Sequence, residues 1–385
     1  MEAIMLNDNV NPLEDEILFA DEEVAVDESL ISGIPPEERI LRTQAYDKSV
    51  SDVVSMIGTG GEGDIILNPD YQRNYVWDNK KASLLIESLL LNVPIPVIYM
   101  AENDDSTWSV VDGLQRLESL RRFFANEFKL RGLEVLQELN GDQYSTLNPK
   151  AARILRNGIL RIILVFKESH PDIKYEIFIR LNRGSIRLTD QELRNCLYRG
   201  KFNELLKRLR ENTKFLEMMG LSAPHKRMND AGLILRYFTI SDSFDFENNK
   251  LVDTYAGKII SSMNKYINSK KVIDNNEINT LEKKFAATVE KVYLVFGKNA
   301  FRKINPLGEF EKNLNRAIMD IIMVSFENVD VEKLKKHKEE IVSLLKELPQ
   351  RDAEFNNALI ISTSDKKQVE YRLSIWCKEL KVIVQ

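Results

Sequence analysis

Residues 107–124, TWSVVDGLQRLESLRRFF, hold the passage on which the fold turns. Trp108 to Val111 are aromatic and β-branched enough to read as a strand. From Leu114 to Phe124 apolar residues recur at helical spacing, so only Asp112 and Gly113 separate strand from helix. A helix that starts at such a joint offers unpaired backbone N–H groups and the positive end of its dipole. Gly113 lets the backbone approach a ligand closely, and the Arg116 guanidinium can grip a phosphate with two donors. Asp112 is placed to hold a magnesium ion or polarise a water, with Gln115 beside it. The plainer alternative is a tight turn with a capping Asp and a surface Arg.

Upstream, KKASLLIESLLL (80–91) is helical by composition, and PIPVIYMA (94–101) is a strand joined to TWSVVDG by the polar turn ENDDS. NPDYQRNYVW (68–77) sets Gln72, Arg73, Tyr75 and Trp77 in a short extended segment. Aromatic faces stack on bases while Arg reaches a phosphate or a base edge, so the mixture suits a nucleotide. Packing of Tyr71 and Trp77 on a core edge is the competing reading. Residues 58–64, GTGGEGD, satisfy G-x-G-x-x-G at Gly58, Gly60 and Gly63, but the loop leads into the apolar run Ile65 to Leu67. A dinucleotide loop needs the strand before it and the helix after it, and a Walker loop needs Lys-Ser or Lys-Thr. Neither condition is met. Pro35 and Pro36 open a short helical stretch.

Downstream, GILRIILVF (158–166) is another strand and Ile173 to Leu181 another helix. FIRLNRGSIRLTDQELRNCLYRGKF (178–202) breaks at Asn182 to Gly184 and restarts behind a capping box of Thr189 and Glu192. Asn182 and Arg183 can donate to phosphates, and Glu192, Arg194 and Asn195 follow on the next helix. A simple helix-to-helix turn explains the same residues. Nearly everything further on has helical period, in segments 202–210, 231–238, 255–267, 278–295, 310–326, 331–348 and 366–380. The expected class is α+β: a small mixed sheet with helices, followed by an all-α region. Expected boundaries are 1–39, an acidic tail; 40–200, the mixed domain; and 201–385, the helical domain.

The chain has 385 residues, enough for two domains, and no apolar run long enough to span a membrane. Its opening segment is neither basic first nor apolar second, so no secretory signal is read and a cytoplasmic location is expected. Cys196 and Cys377 are distant in sequence and supply no disulfide framework. His170, His225 and His337 form no zinc-ligand spacing. The net charge of −5 conceals an asymmetry, because residues 1–40 carry twelve Asp or Glu against Arg39 alone. The remainder is basic, which is compatible with phosphate-bearing partners. The tail is read as a solubilising extension, with a fold-over onto a cationic groove as the sharper alternative. Basic pairs that would contact DNA phosphates are Lys207 with Arg208, Lys270 with Lys271 and Lys335 with Lys336, unless they are solvated helix faces.

Taken together, QR-x-Y-x-W, DGxQR after a strand, and FxxLNxGxxxLxxxELRN resemble the ordered signature of the DGQQR-motif family. That family includes the N-terminal part of the GmrSD modification-dependent restriction systems and related bacterial phage-defence sensors. The resemblance covers roughly residues 40–200. It implies a ParB/sulfiredoxin-like core that binds or hydrolyses a nucleoside triphosphate with Mg2+. Asp112, Gly113, Gln115 and Arg116 would form the site, with Gln72 and Arg73 facing them and Asn182 and Glu192 nearby. Two departures matter. Leu114 stands where the commonest motif has Gln or Lys, and Glu118 where it has Thr, although Ser119 keeps a hydroxyl close by. Many relatives also append an HNH-type nuclease, for which His225 and His337 have the wrong setting. The expected function is a nucleotide-binding, NTP-hydrolysing sensor of foreign or modified DNA that works with a separate effector. A non-catalytic DNA-binding or protein-interaction adaptor is the alternative. A third reading is a metal-dependent nuclease built on Asp112. Self-association is compatible with each.

Overall fold

The computed structural model describes residues 34–58, 63–67, 75–181, 189–255 and 257–385. Gln72, Arg73 and Asn182, Gly60, and residues 1–33 of the acidic tail lie outside them. The chain divides between Gly200 and Lys201 into two compact units. Among the described residues no helix is long and apolar enough to cross a membrane.

The first unit runs β1 (Thr43–Ser49), α1 (Val50–Ile57), β2 (Ile65–Ile66), α2 (Asn79–Leu90), β3 (Ile98–Glu102), β4 (Trp108–Asp112), α3 (Leu114–Phe124), α4 (Pro149–Asn157), β5 (Ile159–Val165), α5 (Pro171–Leu181) and α6 (Asp190–Leu197). Its sheet has the order β1-β5-β3-β4-β2. β1 pairs antiparallel with β5 from Thr43 opposite Val165 to Ser49 opposite Ile159. β5 is parallel to β3, β3 antiparallel to β4, and β4 parallel to β2, so the sheet is mixed, as expected. Ile98, Met100, Val110, Leu160, Ile162 and Leu164 face one core with Val53, Ile86, Leu117, Leu120 and Phe123 from the helices. Each such side chain removed from water contributes about 1.5–3 kcal/mol. The loop that follows α3 is fastened by Glu87 of α2, a buried carboxylate accepting from the N–H groups of Glu134, Val135 and Leu136 at 3.1, 2.8 and 2.8 Å.

The second unit contains α7 (Lys201–Leu209), α8 (Thr213–Met219), α9 (Asn229–Ser243), a hairpin of β6 (Phe244–Asp245) and β7 (Lys250–Leu251), α10 (Ile259–Ser269), α11 (Asn275–Phe296), α12 (Arg316–Phe326), α13 (Val331–Lys336), α14 (Lys338–Arg351), α15 (Ala353–Ala358) and α16 (Lys366–Ile383). α12 is its centre: every residue from Ala317 to Phe326 is buried. Inside that apolar surround sits a charged cluster. Arg236 of α9 donates twice to Asp320 of α12, at 2.8 Å each, and Arg372 of α16 donates to the same carboxylate at 2.5 Å. Both guanidiniums also reach the Thr363 carbonyl, at 3.2 and 2.8 Å, and Arg372 the Ala358 carbonyl at 3.2 Å. Burial pulls the Arg372 pKa down while the Asp320 carboxylate opposes the shift.

The α+β class expected from the sequence is the one observed, with differences of detail. The segment after Pro35 is a single 3-10 turn, Pro36–Glu38. Residues 310–315 are not helical: Phe310 bridges to Ile304, and the helix begins only where Asn315 Oδ1 accepts from Ile318 N–H at 2.8 Å. The 331–348 segment is interrupted at His337, which closes α13 and opens α14. The 255–267 helix starts later, at Ile259, because Lys258 bridges to Asp365. The β6–β7 hairpin is an addition to a region read as wholly helical.

Candidate functional site

β4 delivers Asp112 to the end of the sheet, and the chain turns into α3 through Gly113 at φ 104°. That left-handed value suits glycine. A Cβ there would also meet Ile98 Cγ1 and Cγ2 at 3.0 and 3.1 Å. No side chain caps α3. Its first N–H groups therefore lie at a strand end with a positive dipole behind them, the arrangement that favours an anion.

Arg116 and Asp112 form an ion pair at 2.7 Å, one helical turn apart. The Arg116 side chain is only 12 % exposed, whereas that of Asp112 is 38 % exposed. The guanidinium also donates to the carbonyls of Pro96 and Val97, the latter at 3.4 Å. Burial lowers the Arg116 pKa, with Asp112 working against the shift. Arg116 thus ties the β3 approach to the end of β4 and steadies Asp112. Gripping a phosphate was the role expected of it, and its donors face these partners instead.

Gln115 is engaged as well. Its Oε1 accepts from the N–H groups of Val76 and Trp77 at 2.9 and 3.2 Å. One turn on, the Ser119 hydroxyl meets Tyr75 Oη at 2.9 Å while donating to the Gln115 carbonyl at 2.7 Å. Arg122 completes the stripe, stacked 4.5 Å from the Tyr75 ring centroid and donating to Asn79 Oδ1 at 3.3 Å. Gln115, Ser119 and Arg122 stand four and three residues apart on one helix face, the spacing at which side chains share a partner. Among the described residues, α3 therefore clasps the 75–77 end of the first sequence motif. Tyr75 and Arg122 were not singled out as a pair from sequence, and that spacing is the signal that could have found them.

The third motif arrives on α6, which packs against both α5 and β4. Thr189 and Glu192 form the capping box read from sequence: Thr189 Oγ1 accepts from Glu192 N–H at 3.2 Å and Glu192 Oε2 from Thr189 N–H at 2.6 Å. Glu192 is therefore a cap. Every residue from Gln191 to Leu197 is buried, Arg194 and Asn195 included.

As for metal, the described residues contain no group of three or more His, Cys, Asp or Glu poised as ligands. Asp112 offers a single carboxylate, so a magnesium ion held there would need its other oxygens from a bound phosphate and water. His225 is buried and accepts from Arg227 N–H at 3.2 Å, and His337 meets Glu340 at 3.0 Å. The glycine-rich segment follows α1 and precedes β2, the reverse of a dinucleotide loop. Its Gly63 lies so close to the Met56 and Ile57 carbonyls that a Cβ would come within 2.3 Å. The basic pairs of the second unit serve as ties: Lys207 pairs with Glu204 at 3.3 Å, Arg208 with Glu282 at 3.2 Å, Lys270 with Glu277 at 2.5 Å and Lys335 with Glu332 at 2.7 Å. Lys271 follows Lys270 just beyond α10.

Comparison with known proteins returns one finding for this region. A family model described as the GmrSD restriction endonuclease, N-terminal domain, matches residues 50–199. No curated protein and no solved structure matches the chain.

Proposed function

With residues 50–199 a GmrSD-type N-terminal domain, a family of phage-defence restriction systems, we propose that this chain is the nucleotide-binding sensor or regulatory component of such a system. In this reading it acts on foreign or modified DNA and passes the signal to a separate effector. The observation that carries it is the start of α3, uncapped by any side chain, with Gly113 left-handed and Asp112 exposed beside it. The triphosphate oxygens accept from the first N–H groups of α3, where the helix dipole favours negative charge. Asp112, steadied by Arg116, would hold a magnesium ion brought in with the phosphates, which would supply neutralisation of their charge. Gln115 keeps the 75–77 segment beside the site.

The engagement of Gln115 and Arg116 favours a second form of the same reading, an adaptor that binds nucleotide without hydrolysing it. Leu114 in place of a polar motif residue points the same way. Titration calorimetry with ATP, GTP and CTP, each with Mg2+, together with phosphate release with and without DNA, tests both. Micromolar binding that is lost in Asp112→Ala and Gly113→Ala supports the site. Phosphate release identifies the hydrolysing form and its absence the adaptor, while no binding of any triphosphate refutes the reading.

A further inference from the structure

α4 opens at Asn148, whose Oδ1 accepts from the Ala151 N–H at 2.9 Å, has Pro149 in its first turn, and closes at Gly158. Ala151 and Leu155 are buried on the side that packs on α1 and α2. The other side is cationic. Lys150, Arg153 and Arg156 are exposed, and residues 143–167 as a whole carry five Lys or Arg and no Asp or Glu. Helix stability does not call for this. Arg156 suits the last turn, but Lys150 stands in the first, against the positive end of the dipole, where an acidic residue is favoured and none occurs. Nor are the three cations held by partners. Among the described residues the side chains of Lys150, Arg153 and Arg156 make no ion pair or hydrogen bond. Arg121, by contrast, pairs with Glu118, Arg161 with Asp47 and Arg180 with Glu176.

We propose that this face of α4 grips the phosphate backbone of duplex DNA, an inference that rests on the DNA reading above and on residues other than those at the start of α3. Steps of three residues set the cations about 60° apart around the helix, in a band about 120° wide and about 9 Å long. Each strand of a duplex carries a phosphate every 3.4 Å or so of its axis, so the band spans roughly two or three phosphates. Lys and Arg with no fixed partner, repeated along one helix, suit such a uniform line of single charges better than the irregular carboxylates of a protein surface. Each cation that meets a phosphate releases a counterion, which makes the contact sensitive to salt. Phosphate contacts position a duplex and carry no sequence information, so recognition of a modified base falls to residues elsewhere. The basic pairs of the helical unit, tied to their own carboxylates, are then not the main grip.

The test uses the full chain and a fluorescently labelled duplex of mixed sequence, with anisotropy read from about 50 to 200 mM salt. Wild type is compared with the combined Lys150→Gln, Arg153→Gln, Arg156→Gln variant. A control with the same change of charge, Lys367→Gln, Lys378→Gln, Lys381→Gln, removes three exposed lysines of α16. The α4 side chains have no internal partners, so the Tm of that variant is unchanged or slightly raised. Its affinity for the duplex falls about tenfold or more at about 0.1 M salt, and the slope of log affinity against log salt shrinks by about 2.7, the share of three phosphate contacts. The control keeps the wild-type slope. Equal slopes and affinities for wild type and the α4 variant overturn the inference and leave the DNA reading standing. An equal loss in the control also overturns it, since net charge rather than this face then governs binding. So does an affinity that rises in the α4 variant, because the face is then covered by an acidic segment such as residues 1–33, which hold ten Asp or Glu and no Lys or Arg. Wild type that leaves the duplex unbound even at about 50 mM salt overturns the DNA reading and this inference together, and an acidic protein partner becomes the occupant to seek.

Discussion

Asp320→Asn is the sharpest perturbation of the helical unit. The substitution keeps the volume and removes the carboxylate on which Arg236 and Arg372 converge, at 3 % and 0 % exposure. Three charge-assisted hydrogen bonds are weakened at once, and two guanidiniums remain in an apolar core with backbone carbonyls as their other acceptors. Removing one member of a buried charged group costs about 3–5 kcal/mol. The asparagine carbonyl still accepts one donor, which places the expected loss near 3 kcal/mol, a change of roughly a hundredfold in the folding equilibrium. Trp376 is a suitable reporter: it is buried, lies one turn beyond Arg372 on α16, and donates to Ser325 Oγ at 2.9 Å. Urea unfolding followed by its fluorescence, in a Trp77→Phe, Trp108→Phe background, isolates the helical unit. The combined change Arg236→Leu, Asp320→Leu, Arg372→Met should lose less than the single one, because it leaves no charge unpaired. A loss below about 1 kcal/mol for Asp320→Asn would refute the argument, as the cluster would then be solvated or already balanced elsewhere.

Two further outcomes follow from the first unit. Burial alone would raise the Glu87 pKa, but the N–H groups of Leu136, Val135 and Glu134 outweigh it and hold the folded value below the ordinary one. Its stabilisation is therefore complete above the unfolded pKa of about 4.3 and fades as pH falls through the lower folded value. Glu87→Gln should lose about 1.5–3 kcal/mol at pH 7 and converge with wild type in acid, as read by chemical denaturation across pH; a gap that widens in acid contradicts the sign. Gln115→Met leaves the N–H groups of Val76 and Trp77 without their acceptor. Hydrogen exchange at those two amides should accelerate about tenfold or more, with the rest of α3 unchanged, and equal rates would show that the clasp does not depend on Gln115.

How much of this was legible in the sequence depended on whether a residue's surroundings are local. α3 was read residue for residue, since its apolar spacing and the glycine before it are both local signals. The capping box of α6 was equally plain. β1 was not, because an edge strand whose residues are mostly exposed carries no alternation of apolar and polar side chains. The break at His337 escaped for a related reason, having neither glycine nor proline, while Pro349 lies inside α14. In the site, the residues Asp112, Gly113, Gln115, Arg116 and Ser119 do gather at one strand-to-helix joint. Their roles were less legible, because whether Arg116 faces a ligand or the carbonyls of Pro96 and Val97 depends on chain distant from it in sequence. The buried cluster left a trace that a closer reading could have used: Arg236 and Asp320 are lone charges within apolar runs, LILRYF and IMDIIM. A lone charge in such a run needs a partner from elsewhere.

The stripe of Gln115, Ser119 and Arg122 also sets where the chain tolerates changes of length. A residue inserted within 116–118 rotates everything beyond it by about 100° around the helix, so Gln115 would keep its hold on Val76 and Trp77 while Ser119 and Arg122 swung away from Tyr75. An insertion in the turn between Asn103 and Thr107 adds length where the backbone already reverses at an exposed tip and alters no helix face. Insertions and deletions in related chains should therefore collect in the hairpin turn and avoid α3. The separation of the first two motifs along the chain is then free to vary, while the phase of the residues within the second is fixed.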